Sequence, residues 1–157
     1  MTPAVALLKK QKQAFSLHEY AHDPSAASYG LEAAEKLGLD ARRVFKTLVA
    51  QADTGELLVA MLPVCNSLSL KKLAAAAKVK KVAMADPALV SRTTGYVLGG
   101  VSPLGQKKRL RTFVDQSAES FSSIHVSAGR RGLEIELAPA VFGQLLGASF
   151  VSLVASE

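Results

Sequence analysis

Apolar positions in this chain recur at helical spacing in some segments and alternate in others, and capping or turn residues mark the switches. Thr2-Pro3 is a cap followed by proline at a first helical position, and Val5, Leu7 and Leu8 supply the apolar face of a helix ending near Gln13. Phe15 and Leu17 through Tyr20 read as a strand, with His18 and Tyr20 on one face. Ala21 to Ser28, containing His22-Asp23-Pro24-Ser25, is a predicted loop. Leu31, Ala34 and Leu37 then return to helical spacing until Gly38 stops it, with Tyr29 at the entrance.

Val44 to Ala50 and Leu57 to Leu62 are β-prone runs joined by Asp53-Thr54-Gly55, which predicts a hairpin. Ser69 caps a helix carrying Leu70, Leu73 and the alanines 74–77, Val79 to Ala83 reads as a short strand, and Asp86-Pro87 opens another helix. Strands follow at Leu110 to Val114, Ile124 to Ser127 and Leu133 to Leu137; Pro139 opens a last helix that Gly147 ends, and Phe150 to Val154 closes the chain as a strand. Strands and helices mix irregularly without a repeat of fixed period. This favours a mixed α/β domain, a curled sheet flanked by helices, over a doubly wound parallel sheet.

The length of 157 residues and the 49% hydrophobic content suit one domain, residues 1–157, with a single core. The sequence lacks an apolar run long enough to span a bilayer and the order of a signal peptide, so the expectation is a soluble, cytoplasmic protein with no membrane partner. A formal net charge of +6 favours a polyanionic partner, while the absence of Trp argues against a broad stacking platform for single strands. Phosphate contacts with one or two stacked bases are the expected mode, and no DNA partner is expected.

The search for a protein nucleophile yields little. Cys65, the only cysteine, follows an apolar strand and reads as a small buried hydrophobe; there is no Gly-x-Ser-x-Gly elbow. His18, His22 and His125 lack metal-ligand spacing, so neither a metal nor a cofactor is expected, and His125 reads as a structural or surface histidine. Nucleotide-binding fingerprints are absent.

Two features carry more. Gly95 to Arg109 concentrates glycines, Pro103 and a basic run, which describes either a plain connection or a backbone shaped around a ligand. Lys46 shares a strand face with Val44 and Leu48, so it is a snorkelling lysine, a partner of Glu134 or Glu136, or a cation awaiting an anionic ligand. Glu134 and Glu136 lie opposite Leu133, Ile135 and Leu137, the usual pattern of a solvated strand face.

Tyr20 with His22-Asp23-Pro24, Val44-Phe45-Lys46-Thr47-Leu48, the segment Gly95 to Arg109 with its run Gly99-Gly100-Val101-Ser102-Pro103-Leu104-Gly105-Gln106-Lys107-Lys108-Arg109, and Val126 to Leu137 together resemble the YbaK/EbsC family over essentially the whole chain. The resemblance implies a YbaK/ProX-type fold, a barrel-like mixed β-sheet surrounded by helices. It also implies a trans-editing aminoacyl-tRNA deacylase, an ester hydrolase or lyase that removes cysteine from Cys-tRNA(Pro), with some action on Cys-tRNA(Cys). The implied partners are the tRNA acceptor end and prolyl-tRNA synthetase. By matching position, Lys46 is the lysine near the tRNA 3′ end and Gly99 to Pro103 the Gly-x-x-x-Pro loop. Tyr20, Tyr29, Thr47, Ser127 and Glu134 complete the implied substrate pocket. Tyr29 replaces a common phenylalanine, Ala128 a common glycine and Glu134 a common aspartate, which changes backbone freedom and carboxylate reach.

An aminoacyl ester needs only modest activation, so the missing nucleophile suits attack by the substrate's own thiol, with amides of Gly99 to Ser102 binding the oxyanion. In that reading Lys46 holds a phosphate or the ribose, and Glu134 either meets the α-ammonium or balances Lys46. Lys107, Lys108, Arg109, Arg111, Arg130 and Arg131 are candidates for acceptor-stem phosphates. Three alternatives remain: a non-catalytic module that binds the acceptor end, a deacylase for another small amino acid such as alanine, and a hydrolase that uses Cys65.

Overall fold

The structure is a computed structural model that describes residues 1–26 and 28–156; Ala27, within the predicted loop 21–28, and Glu157 lie outside the described residues. The first helix, α1 (Pro3–Lys10), begins as expected, with the Thr2 hydroxyl accepting from Val5 N–H at 3.3 Å. It ends earlier than Gln13. Lys12 adopts φ 55°, and the amides of Lys12 and Gln13 fold back onto the carbonyls of Lys9 and Leu8. That closure normally uses glycine, so the sequence carries no stop signal there. β1 (Ser16–Glu19) and α2 (Tyr29–Lys36) follow, the latter capped by Ser28 and ended at Gly38.

The predicted hairpin forms from β2 (Phe45–Ala52) and β3 (Leu57–Pro63), antiparallel from Phe45 opposite Pro63 to Gln51 opposite Leu57. Ser69 and Asp86 cap α3 (Leu70–Ala77) and α4 (Pro87–Thr94), with β4 (Val82–Met84) between them. β5 (Arg111–Asp115) runs into a 3-10 turn over Gln116–Ser120, followed by β6 (Ile124–Arg130), β7 (Leu133–Leu137), α5 (Ala140–Leu146) and β8 (Ser149–Val151).

The strands form two sheets. One is antiparallel in the order β1-β7-β6; the other, β4-β2-β3-β5-β8, is mixed, because β3, β5 and β8 run parallel. They meet where Val44 bridges His125 and His125 N–H donates to the Arg43 carbonyl at 2.9 Å. The mixed, helix-flanked architecture matches expectation, with the barrel left open as two joined sheets. β3 is buried on both faces: Val59 and Met61 face the main core with α1, α4 and α5, while Leu58 and Ala60 face α3 and Leu153. The seam between the sheets places the start of β2 beside β6 and β7, and the functional cavity lies there.

Candidate active site

A cavity of about 330 Å³ opens between Lys46, Thr47 and Leu48 of β2, Ser127 and Glu134 of β6 and β7, Tyr20 after β1, Tyr29 of α2, and the loop carrying Leu98, Gly99 and Val101. Arg130 and Arg131 line its rim, and Ser28, Gly30 and Phe45 complete the wall. The structure thus brings together Tyr20, Tyr29, Lys46, Thr47, Gly99, Val101, Ser127, Arg130, Arg131 and Glu134 from distant parts of the sequence.

Lys46 has no carboxylate within salt-bridge distance among the described residues, and burial holds its ammonium below the ordinary lysine range. Of its alternative readings, pairing with Glu134 or Glu136 is therefore removed. Glu134 corrects the solvated-face expectation. It is only 6% exposed, has no hydrogen-bonded partner among the described residues, and burial pushes its pKa up to about 8. Glu136 is also engaged, accepting from Ser123 Oγ at 2.6 Å and pairing with His18 at 2.9 Å. The alternation rule failed because this face of the three-stranded sheet turns toward the seam instead of water.

Thr47 lines the cavity, while its Oγ1 is buried and has no hydrogen-bond partner among the described residues. Ser127 Oγ accepts from the Gly129 amide at 3.1 Å and keeps its proton to donate. Burial raises the pKa of the Tyr20 hydroxyl, with the Glu134 and Glu32 carboxyls adding to the effect. Ala128 is a fully buried core residue of β6, so the missing glycine costs nothing visible here.

The glycine loop is held by Tyr96. Its hydroxyl donates to the Leu104 carbonyl at 2.6 Å, joining the two ends of the segment, and burial pushes its pKa up to about 12. Within the loop the Gly100 N–H donates to Val97 O at 2.9 Å, while Ser102 and Pro103 are buried and do not line the cavity. The expectation that all amides from Gly99 to Ser102 face a substrate is corrected: the cavity-lining positions are Gly99 and Val101. Gly99 has φ 87°, and a Cβ there meets the Tyr29 ring at 2.5 Å and Arg131 Nε at 2.7 Å. Glycine is required because three segments converge on that point.

Arg131 makes this convergence. Its guanidinium lies 3.9 Å from the Tyr29 ring centroid, and Nη2 donates to the Leu98 carbonyl at 2.9 Å. On the other side, the Tyr29 ring centroid is 5.6 Å from that of His22, whose Nδ1 sits 2.7 Å from Glu32 Oε1. The buried Glu32 also accepts from the Asp23 amide at 2.8 Å and pairs with Lys36 at 3.4 Å. Burial opposes its charge, but these bonds prevail and lower its pKa. Sequence reasoning missed Glu32, whose position in a short amphipathic helix looks like any exposed carboxylate.

Lys107, Lys108 and Arg109 do not line this cavity. Lys108 and Arg109 instead line a separate cleft with Gln51, Glu56, Thr93 and Arg111, where Arg111 pairs with Glu56 at 2.8 Å. Cys65 is exposed, not buried, and is absent from the cavity wall, as are the three histidines. No helix among the described residues is long and apolar enough to cross a membrane.

Residues 23–145 match the model of the aminoacyl-tRNA editing domain. EbsC of Enterococcus faecalis (strain ATCC 700802 / V583), named as a candidate Cys-tRNA(Pro)/Cys-tRNA(Cys) deacylase, is 38% identical over 99% of this chain and 94% of its own length. YwhH of Bacillus subtilis (strain 168), whose name assigns no activity, is 27% identical over 69% of this chain and 68% of its own. A solved structure described as a candidate trans-editing enzyme for prolyl tRNA synthetase superposes with a TM-score of 0.85 at 21% identity, covering 98% of this chain and 96% of that one. The chain belongs to the aminoacyl-tRNA editing domain family, in the YbaK/EbsC group of aminoacyl-tRNA deacylases.

Proposed function

We propose that the cavity deacylates Cys-tRNA(Pro), and to a lesser degree Cys-tRNA(Cys), in trans, with the substrate's thiol as the nucleophile. The observation that carries this reading is the composition of the cavity wall: a lysine without a carboxylate partner, a buried carboxyl and the Ser127 hydroxyl, with neither cysteine nor histidine among the described lining residues. A site of this kind positions and polarises an ester that already contains its own attacking group.

The cysteinyl sulfur attacks the ester carbonyl, forming a C–S bond. The C–O bond to the terminal ribose breaks, and the thiol proton passes to the departing ribose oxygen. Water then opens the resulting thiolactone and releases cysteine. The Gly99 and Val101 amides stabilise the carbonyl oxyanion, and Lys46 holds the acceptor end through a phosphate or ribose oxygen. Glu134 is mostly protonated at neutral pH, so one carboxyl oxygen delivers a proton to the ribose while the other receives one from sulfur. Tyr20, Tyr29 and Thr47 wall the aminoacyl group, and Ser127 offers its hydroxyl to the amine or the ribose. Arg130 contacts acceptor-stem phosphate, with the remoter Lys107, Lys108 and Arg109 reaching other parts of the tRNA.

The test is turnover on tRNA(Pro) charged with Cys, Ala or Pro, using wild type and Lys46→Ala. Multiple turnovers on the cysteinyl substrate, lost in Lys46→Ala, support the proposal. Tight binding with no turnover identifies an acceptor-end binding module. Preference for the alanyl substrate reassigns the specificity.

A further inference from the structure

The cavity does not use His18, His125 or Glu136, yet these three residues converge from three strands at the other end of the same polar sheet face. β1 places His18 opposite Glu134, and β6 places His125 opposite Glu136. One donor atom from each of the three lies within 4.8 Å of the others. His18 Nε2 is 2.9 Å from Glu136 Oε1, and the imidazole centroids are 5.3 Å apart in an edge-on arrangement. Linear spacing hid this group because its members are 107 and 11 positions apart in the sequence, far from any contiguous ligand motif.

His125 is 1% exposed, and its Nδ1 is buried with no hydrogen-bond partner among the described residues. A buried, unpaired imidazole nitrogen is costly unless something occupies it. Glu136 is built as a ligand carboxylate is. Oε2 accepts from Ser123 Oγ at 2.6 Å and faces Arg43 at 3.6 Å, which leaves Oε1 oriented toward His18. Arg43 is itself anchored on the Ser123 carbonyl at 3.1 Å, so it orients the carboxylate without occupying Oε1. Outer-shell bonds of this type fix the geometry of metal-binding carboxylates.

We propose that His18, His125 and Glu136 bind one divalent transition-metal ion of the zinc class. Two imidazoles and one carboxylate form a borderline donor set that suits zinc or cobalt and disfavours magnesium or calcium. Binding takes the place of the His18–Glu136 hydrogen bond, and it ties edge strand β1 to β6 and β7. The site is distinct from the deacylation cavity and requires no part of the reaction to pass through the metal.

The experiment uses the full, untagged, metal-stripped chain titrated with cobalt(II) and read by visible absorption, then with zinc(II) against a chromophoric chelator. The expected result is one ion per chain, a cobalt spectrum of nitrogen and oxygen ligation, and a higher Tm in the zinc-loaded protein. His18→Ala and Glu136→Gln, whose parent residues are partly exposed, should each weaken binding by about tenfold or more while retaining the folded circular dichroism spectrum. His22→Ala, which removes the histidine outside the cluster, should bind as wild type does. An absence of saturable cobalt binding, or undiminished affinity in both His18→Ala and Glu136→Gln, would overturn the site.

Discussion

The Arg131 guanidinium covers the face of Tyr29 at 3.9 Å while holding the Leu98 carbonyl at 2.9 Å, so one side chain joins α2, the glycine loop and the β6–β7 turn at the mouth of the cavity. A residue expected to meet tRNA phosphate is thus already part of the wall. Arg131→Ala should raise KM roughly three- to tenfold with a smaller effect on kcat, the scale of a lost cation–π contact. Arg131→Lys should not restore it, because an ammonium lacks the planar fork. Steady-state deacylation kinetics check this, and an unchanged KM in both variants would separate the contact from substrate binding.

Gly99→Ala introduces a Cβ 2.5 Å from the Tyr29 ring at φ 87°. The expected cost is about 1–3 kcal/mol of stability, together with a loss of activity as Tyr29 and Arg131 are displaced. Denaturant unfolding measures the first and deacylation the second. A variant as stable as wild type would mean that the three segments do not need this close approach.

Glu134 makes stability depend on pH in the direction opposite to that of a salt-bridged carboxylate. Its folded pKa of about 8 lies above the ordinary 4.5, so across that window the folded chain holds a proton that the unfolded chain has released. Stability from this group therefore falls as pH rises from about 4.5 to 8. With chelator present, Glu134→Gln should be more stable than wild type at pH 8 by at least about 1.4 kcal/mol, the worth of one pKa unit, and the gain should vanish near pH 4. A constant difference across pH would place the titration elsewhere.

Lys46→Met should show the signature of a functional cation held against its solvation preference. Burial lowers its pKa and no carboxylate among the described residues pairs with it, so removing the charge should raise Tm by roughly 2 °C while deacylation falls by about a hundredfold or more. Thermal melts and single-turnover rates measure the two effects on the same sample. A destabilised but active variant would make Lys46 structural.

The caps and stops written in side chains were legible. Thr2, Ser69 and Asp86 each accept the amide three residues on, and Gly38 and Gly147 end their helices with positive φ. The end of α1 was not, because Lys12 takes the left-handed position without glycine. The cavity residues were found through motif resemblance, since periodicity alone gives Glu134 to solvent. What decides its burial is the seam where Val44 meets His125, a tertiary event that no local pattern encodes. The same holds for Glu32 and for the convergence of His18, His125 and Glu136. The committed amide of Gly100 likewise depends on a turn onto Val97 that composition does not specify.

The claim that the substrate supplies its own nucleophile is tested most directly by comparing Cys-tRNA(Pro) with S-methylcysteinyl-tRNA(Pro) under single-turnover conditions. Methylation blocks the sulfur while nearly preserving the size of the side chain. The account predicts cleavage of the cysteinyl ester at least about a hundredfold faster. Equal rates for the two esters would contradict it.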